Sequence, residues 1–97
     1  MAFMLVNTND GFSGVDRLRL PRFGSVTYRL RAFDAGSEAN DELMASIPGP
    51  CCGSVGEGTE TNERIHLHPG IQGVGDLSVD KYGWDEPAAE LTIVRVR

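Results

Sequence analysis

Twelve glycines and five prolines are scattered along the 97 residues, and they restrict the backbone shapes open to the chain. Inside a helix a glycine costs about 1 kcal/mol and a proline about 3 kcal/mol relative to alanine. Helices of ordinary length are therefore disfavoured, and strands and turns must do most of the burying. A chain of 97 residues makes one domain, residues 1–97, with a small core. Its 40% apolar and 24% charged residues are a globular mixture and not a disordered one.

Hydrophobic period places the strands. In "SVTYRLRAF" (25–33), Val26, Tyr28, Leu30 and Ala32 alternate with Thr27, Arg29 and Arg31, as in a half-buried antiparallel strand. "VDRLRL" (15–20) alternates in the same way, and the "PRFG" link predicts a hairpin between the two runs. "FMLV" (3–6), "RIHLH" (64–68) and "ELTIVRVR" (90–97) read as further strands, and "SEANDELMAS" (37–46) has room for one or two helical turns. The expected fold class is mainly β: an antiparallel β-sandwich with long loops and at most one short helix. Cys51 and Cys52, adjacent in the chain, read as two free cysteines in a turn, since a bridge between neighbours is strained and two thiols are too few for structural zinc.

Charge is unevenly placed. Residues 34 to 63 hold seven of the fourteen carboxylates and no lysine or arginine. Known cation motifs fit this stretch poorly. An EF-hand counted from Asp34 meets Gly36 at its third position and Ala39 at its sixth, where an acid and a glycine are needed. His66 and His68, two apart on a strand, would share a face and form half of a transition-metal site, but no acid follows at useful spacing. Nucleotide-loop and nucleophile-elbow fingerprints are absent from the sequence, so a non-catalytic role is expected. A calcium site is the remaining expectation, because Ca²⁺ gathers six to eight oxygens from loop side chains and carbonyls. Asn9 and Asp10 in "TNDGF" and Asp34 and Glu38 in "FDAGSE" would converge if the two turns open at the same end of a meander.

At these residues the sequence resembles the spondin N-terminal domain family, in particular its bacterial single-domain members. The likeness is carried by "NTNDGFSGVDRLRLP", "AFDAGSEANDEL", "HPGI" and "YGWDEPAAELTIVRVR", and corresponds to the C-terminal part of that family's domain. The resemblance implies a C2-like β-sandwich that binds Ca²⁺ through Asp10, Asp34 and Glu38, with Glu38 where the animal proteins carry aspartate. Asn9, Asn40, His66 and His68 are secondary candidates. The implied role is a binding or adhesion module for an unidentified protein or glycan. The animal members are secreted, whereas "MAFMLVNTND" lacks the basic start and the cleavage site of a signal peptide.

A net charge of −5 argues against nucleic acid or an anionic membrane as a direct partner, and no apolar run is long enough to span a bilayer. A homodimer is expected, with the apolar "AFMLV" strand as its contact. The competing functional class is a small metal-dependent enzyme using His66 and His68 with Asp76 or Asp85.

Overall fold

The alternating run at Ser25 does form a strand, but its partner comes from the far end of the chain. In the computed structural model, which describes residues 1–54 and 58–97, the strands are β1 (Ala2–Met4), β2 (Gly11–Gly14), β3 (Ser25–Leu30), β4 (Phe33–Asp34), β5 (His66–Leu67) and β6 (Ala89–Val94). A 3-10 turn spans Met44–Ser46 and one short helix, α1, spans Val79–Tyr82. The fold is thus mainly strands in antiparallel sheets. One sheet has the order β1-β2-β4-β5, and β3 with β6 makes a separate two-stranded ribbon.

The ribbon pairs Ser25 with Val94 and Leu30 with Ala89. Val26, Tyr28, Leu91 and Ile93 take its half-buried face, while Thr27, Arg29, Glu90 and Thr92 face solvent. The hairpin expected between 15–20 and 25–33 is absent. Arg17 sits at φ 57°, a left-handed conformation that interrupts an extended run. Residues 15–20 therefore make no ladder, and they are tied down by Tyr28 Oη donating to the Arg19 carbonyl at 2.9 Å.

Register sorts the four-stranded sheet into rows. Met4, Phe12, Phe33 and Leu67 stand opposite one another across all four strands, and the two phenyl rings stack at 5.7 Å. The next row is Gly11, Asp34 and His66. Gly11 has a steric reason to be glycine: a Cβ there would come within 2.6 Å of Thr8 Oγ1.

The main core cluster lies among the loops. Ile47, Ile71 and Leu77 pack together, with Cys51, Cys52, Tyr82 and Trp84 against them. Contrary to the expectation of free thiols, Cys51 and Cys52 are disulfide-bonded to each other. Their turn is clamped by backbone bonds from Cys52 N and Gly53 N to the Gly49 carbonyl and by Cys51 N donating to Asn7 Oδ1. Among the described residues no helix is long and apolar enough to cross a membrane.

Candidate cation-binding site

Asp10 closes the turn between β1 and β2, and Asp34 ends β4. They meet because Gly11 pairs with Asp34, which puts the residue before Gly11 beside the turn that follows Asp34. The backbone confirms that closeness, with Ala35 N donating to the Asp10 carbonyl at 3.2 Å. The turn after Asp34 is tight: Gly36, at φ 77°, lies against the Glu63 carbonyl with no room for a side chain.

Most of the carboxylate oxygens here are already occupied by donors. Asp10 Oδ2 accepts from Ser37 N at 2.8 Å, Ser37 Oγ at 2.9 Å and Glu38 N at 2.9 Å. Asp34 is buried. Its Oδ1 accepts from Gly36 N at 2.7 Å, and its Oδ2 accepts from Asn40 Nδ2 and lies 3.5 Å from His66 Nε2. Burial raises the Asp10 pKa, but the bonds from Glu38 and Ser37 outweigh it and hold this carboxyl below the usual carboxylate value. One oxygen is left over: Asp10 Oδ1 is buried with no hydrogen-bond partner among the described residues.

The other candidates are placed differently. Glu38 is half-buried, with its carboxylate against Gly58 beside the Asn9 amide, and Asn9 Nδ2 donates to the Ala39 carbonyl at 3.1 Å. Among the described residues no three His, Cys, Asp or Glu side chains are grouped as a set that could hold a metal ion. The structure thus sets the Asp10 turn against the turn that follows Asp34, with the Glu38 amide on Asp10 Oδ2 and the Glu38 carboxylate toward Gly58. Asn9, Asn40 and His68 line a cavity of about 10 Å³ together with Glu42, room for a single water.

The two histidines have separate surroundings. His66 is exposed, its Nδ1 is 2.8 Å from the Arg64 carbonyl, and that bond, aided by Asp34 and Glu63, raises its pKa. His68 is buried 5.3 Å from Trp84, its Nδ1 accepts from Gly70 N at 3.0 Å, and burial lowers its pKa. Asp76 accepts from Met44 N, and Asp85 lines a cleft with Trp84, Gln72 and Val79.

Glu42 carries a role that the sequence did not signal. It is buried, sits at φ 57°, and accepts from Gln72 N, Gly73 N and Val74 N at 2.7 to 3.2 Å. Asp41 similarly accepts from Leu43 N and Ser46 Oγ. Much of the negative charge in 34–43 is therefore balanced by backbone amides. No protein-family model, curated protein or solved structure matches the chain.

Proposed function

We propose that this chain is a non-catalytic binding module of the spondin type, a C2-like β-sandwich stabilised by one Ca²⁺ held between the 8–12 and 34–38 turns. The observation that carries this reading is the buried Asp10 Oδ1, without a partner among the described residues, in the turn that the Gly11–Asp34 pairing sets beside Asp34. A buried anionic oxygen without a donor is costly, and a hard cation satisfies it while screening the second acid. Asp10 and Asp34 would supply carboxylate oxygens, Glu38 a third after a side-chain rotation, and loop carbonyls the remainder. The ligand recognised by the module would be a protein or a glycan. The competing enzyme reading is less well supported, since His68 is turned to Trp84 and Gly70 and does not share a site with His66.

Thermal unfolding in calcium and in chelator tests the metal. A ligand at about a hundred times its Kd stabilises by about 2.7 kcal/mol. For a domain of this size that raises Tm by about 10–20 °C. An unchanged Tm, with no heat in a calcium titration, would end the proposal.

The row Met4, Phe12, Phe33 and Leu67 favours a homodimer. Met4 and Leu67 are exposed at its two ends, and β1 is an edge strand with all three residues exposed. A second copy laid on this row would cover apolar side chains and the open edge together.

A further inference from the structure

Net charge hides a separation of charge within the molecule. Residues 15–31 and 89–97 carry seven arginines against only Asp16 and Glu90, while the rest of the chain has Arg64 and Lys81 against twelve carboxylates. The arginine-rich segments are the β3–β6 ribbon and the stretch bonded to it. Both acids there are already engaged, Asp16 with Arg17 and Glu90 with Arg29, each at 3.7 Å. Among the described residues Arg19, Arg22, Arg95 and Arg97 make no ion pair.

The ribbon end combines that charge with bare apolar side chains. Arg95 N donates to the Gly24 carbonyl at 2.9 Å, which brings 22–25 beside 94–97. At this end Phe23 is 85% exposed, Val96 88% and Val94 61%. A Cβ placed on Gly24 would touch nothing, so the tip stands open to solvent. Three large apolar residues interleaved with Arg22, Arg95 and Arg97, which make no ion pair among the described residues, are the elements of an interfacial anchor. Rings and aliphatic chains enter the acyl boundary, and guanidinium groups meet lipid phosphates bidentately. β3 places the acidic sheet about 20 Å up the ribbon, which is more than two Debye lengths of about 8 Å at physiological salt. The acids there do not cancel the tip.

We infer that the end of the β3–β6 ribbon, with Phe23, Val94 and Val96 inserting and Arg22, Arg95 and Arg97 facing headgroups, docks on an anionic phospholipid surface. Nucleic acid is the less suitable polyanion, because Val94 and Val96 have nothing to contact along a sugar–phosphate backbone. The inference is independent of the calcium site. It reverses the expectation drawn from net charge, because docking senses only the charge near the tip.

Cosedimentation with vesicles tests it, run in chelator so that the Asp10–Asp34 site cannot bridge to lipid. The protein should pellet with phosphatidylcholine vesicles containing phosphatidylserine, stay in solution with phosphatidylcholine alone, and detach as salt is raised. Phe23→Ser should weaken binding about tenfold by removing the ring from the acyl boundary. Arg22→Glu and Arg95→Glu should each weaken it at least fivefold, given about 1 kcal/mol per basic residue near such a surface. These side chains are exposed, so circular dichroism should show the variants folded. Failure of the wild type to pellet with anionic vesicles at low salt overturns the inference. So does pelleting that Phe23→Ser leaves unchanged while duplex DNA competes for the protein, since the ribbon would then be a general polyanion surface.

Discussion

Asp10 offers two substitutions that should behave oppositely. In Asp10→Ala the donors Ser37 N, Ser37 Oγ and Glu38 N lose their shared acceptor. Water can replace the acceptor at exposed Ser37 but less readily at half-buried Glu38. A hydrogen bond to a charged group contributes about 1.5–3 kcal/mol, so one lost outright and two partly replaced amount to about 2–3 kcal/mol. At 4–8 °C per kcal/mol for a domain of about 100 residues, Tm in chelator should fall by about 10–20 °C. In Asp10→Asn the amide oxygen keeps all three donors. The NH₂ takes the place of the buried Oδ1, which has no partner among the described residues, and removes an anionic oxygen from the turn beside Asp34. Its stability in chelator should therefore lie within about 1 kcal/mol of the wild type, with no rise on adding calcium. The assay is thermal unfolding by circular dichroism, with and without calcium, on the three proteins. The reasoning fails if Asp10→Asn drops as far as Asp10→Ala in chelator, since Oδ1 would then have needed its charge. It fails equally if Asp10→Asn keeps the calcium response.

Asp34→Asn should be the costlier amide exchange, by about 2 kcal/mol in chelator, because both carboxylate oxygens accept bonds and His66 adds a third contact; equal stability of Asp34→Asn and Asp10→Asn in urea titrations would refute this. The His68 pKa is depressed, so below the unfolded value of 6.5 the unfolded chain takes up a proton that the folded one resists, and stability falls as pH drops through that range. The raised pKa of His66 acts in the opposite sense, its contribution being present at low pH and lost as pH rises. His68→Gln should therefore flatten the loss of stability between about pH 7 and 5, and an unchanged slope in denaturant midpoints would remove His68 as its cause. Light scattering should report twice the 10.5 kDa chain mass, with Met4→Lys returning the monomer and leaving the Asp10→Asn and wild-type calcium responses as they were; a wild type that is monomeric at high micromolar concentration would leave the apolar row without a second copy.

Side-chain period was enough to locate β3 and β6, because each buries alternate residues along one face. It misled at 15–20, where Leu18 and Leu20 alternate as a strand's residues would, yet β6 takes the place beside β3. Period reads one chain segment at a time and does not decide which of two candidates pairs. The meeting of the Asp10 turn with the turn after Asp34 was legible, because β1 and β4 both run antiparallel to β2 and the turns after them open at one end, where Gly11 pairs with Asp34. Glu42 was legible only as one acid among several. Its partners are the backbone amides of 72–74, some thirty positions away, and nothing in the composition of either segment announces them. The same holds for Asn7, whose side chain receives the Cys51 amide.

The ribbon has a further consequence, for how the chain acquires its shape during synthesis. Thr27 and Thr92, whose hydroxyls meet at 2.8 Å, are 65 residues apart. A ribosome adding about 5–20 residues per second needs about 3–13 s to make that interval. Through that time β3 has emerged with Val26, Tyr28 and Leu30 alternating along it and with no strand beside it. Closing so large a loop is entropically slow even after β6 is made. A nascent chain in this condition offers an unpaired strand to any neighbour, including another nascent copy on the same message. The arginines at 29 and 31 lie on that strand or just beyond it, and like charges on neighbouring copies oppose stacking in register until β6 arrives.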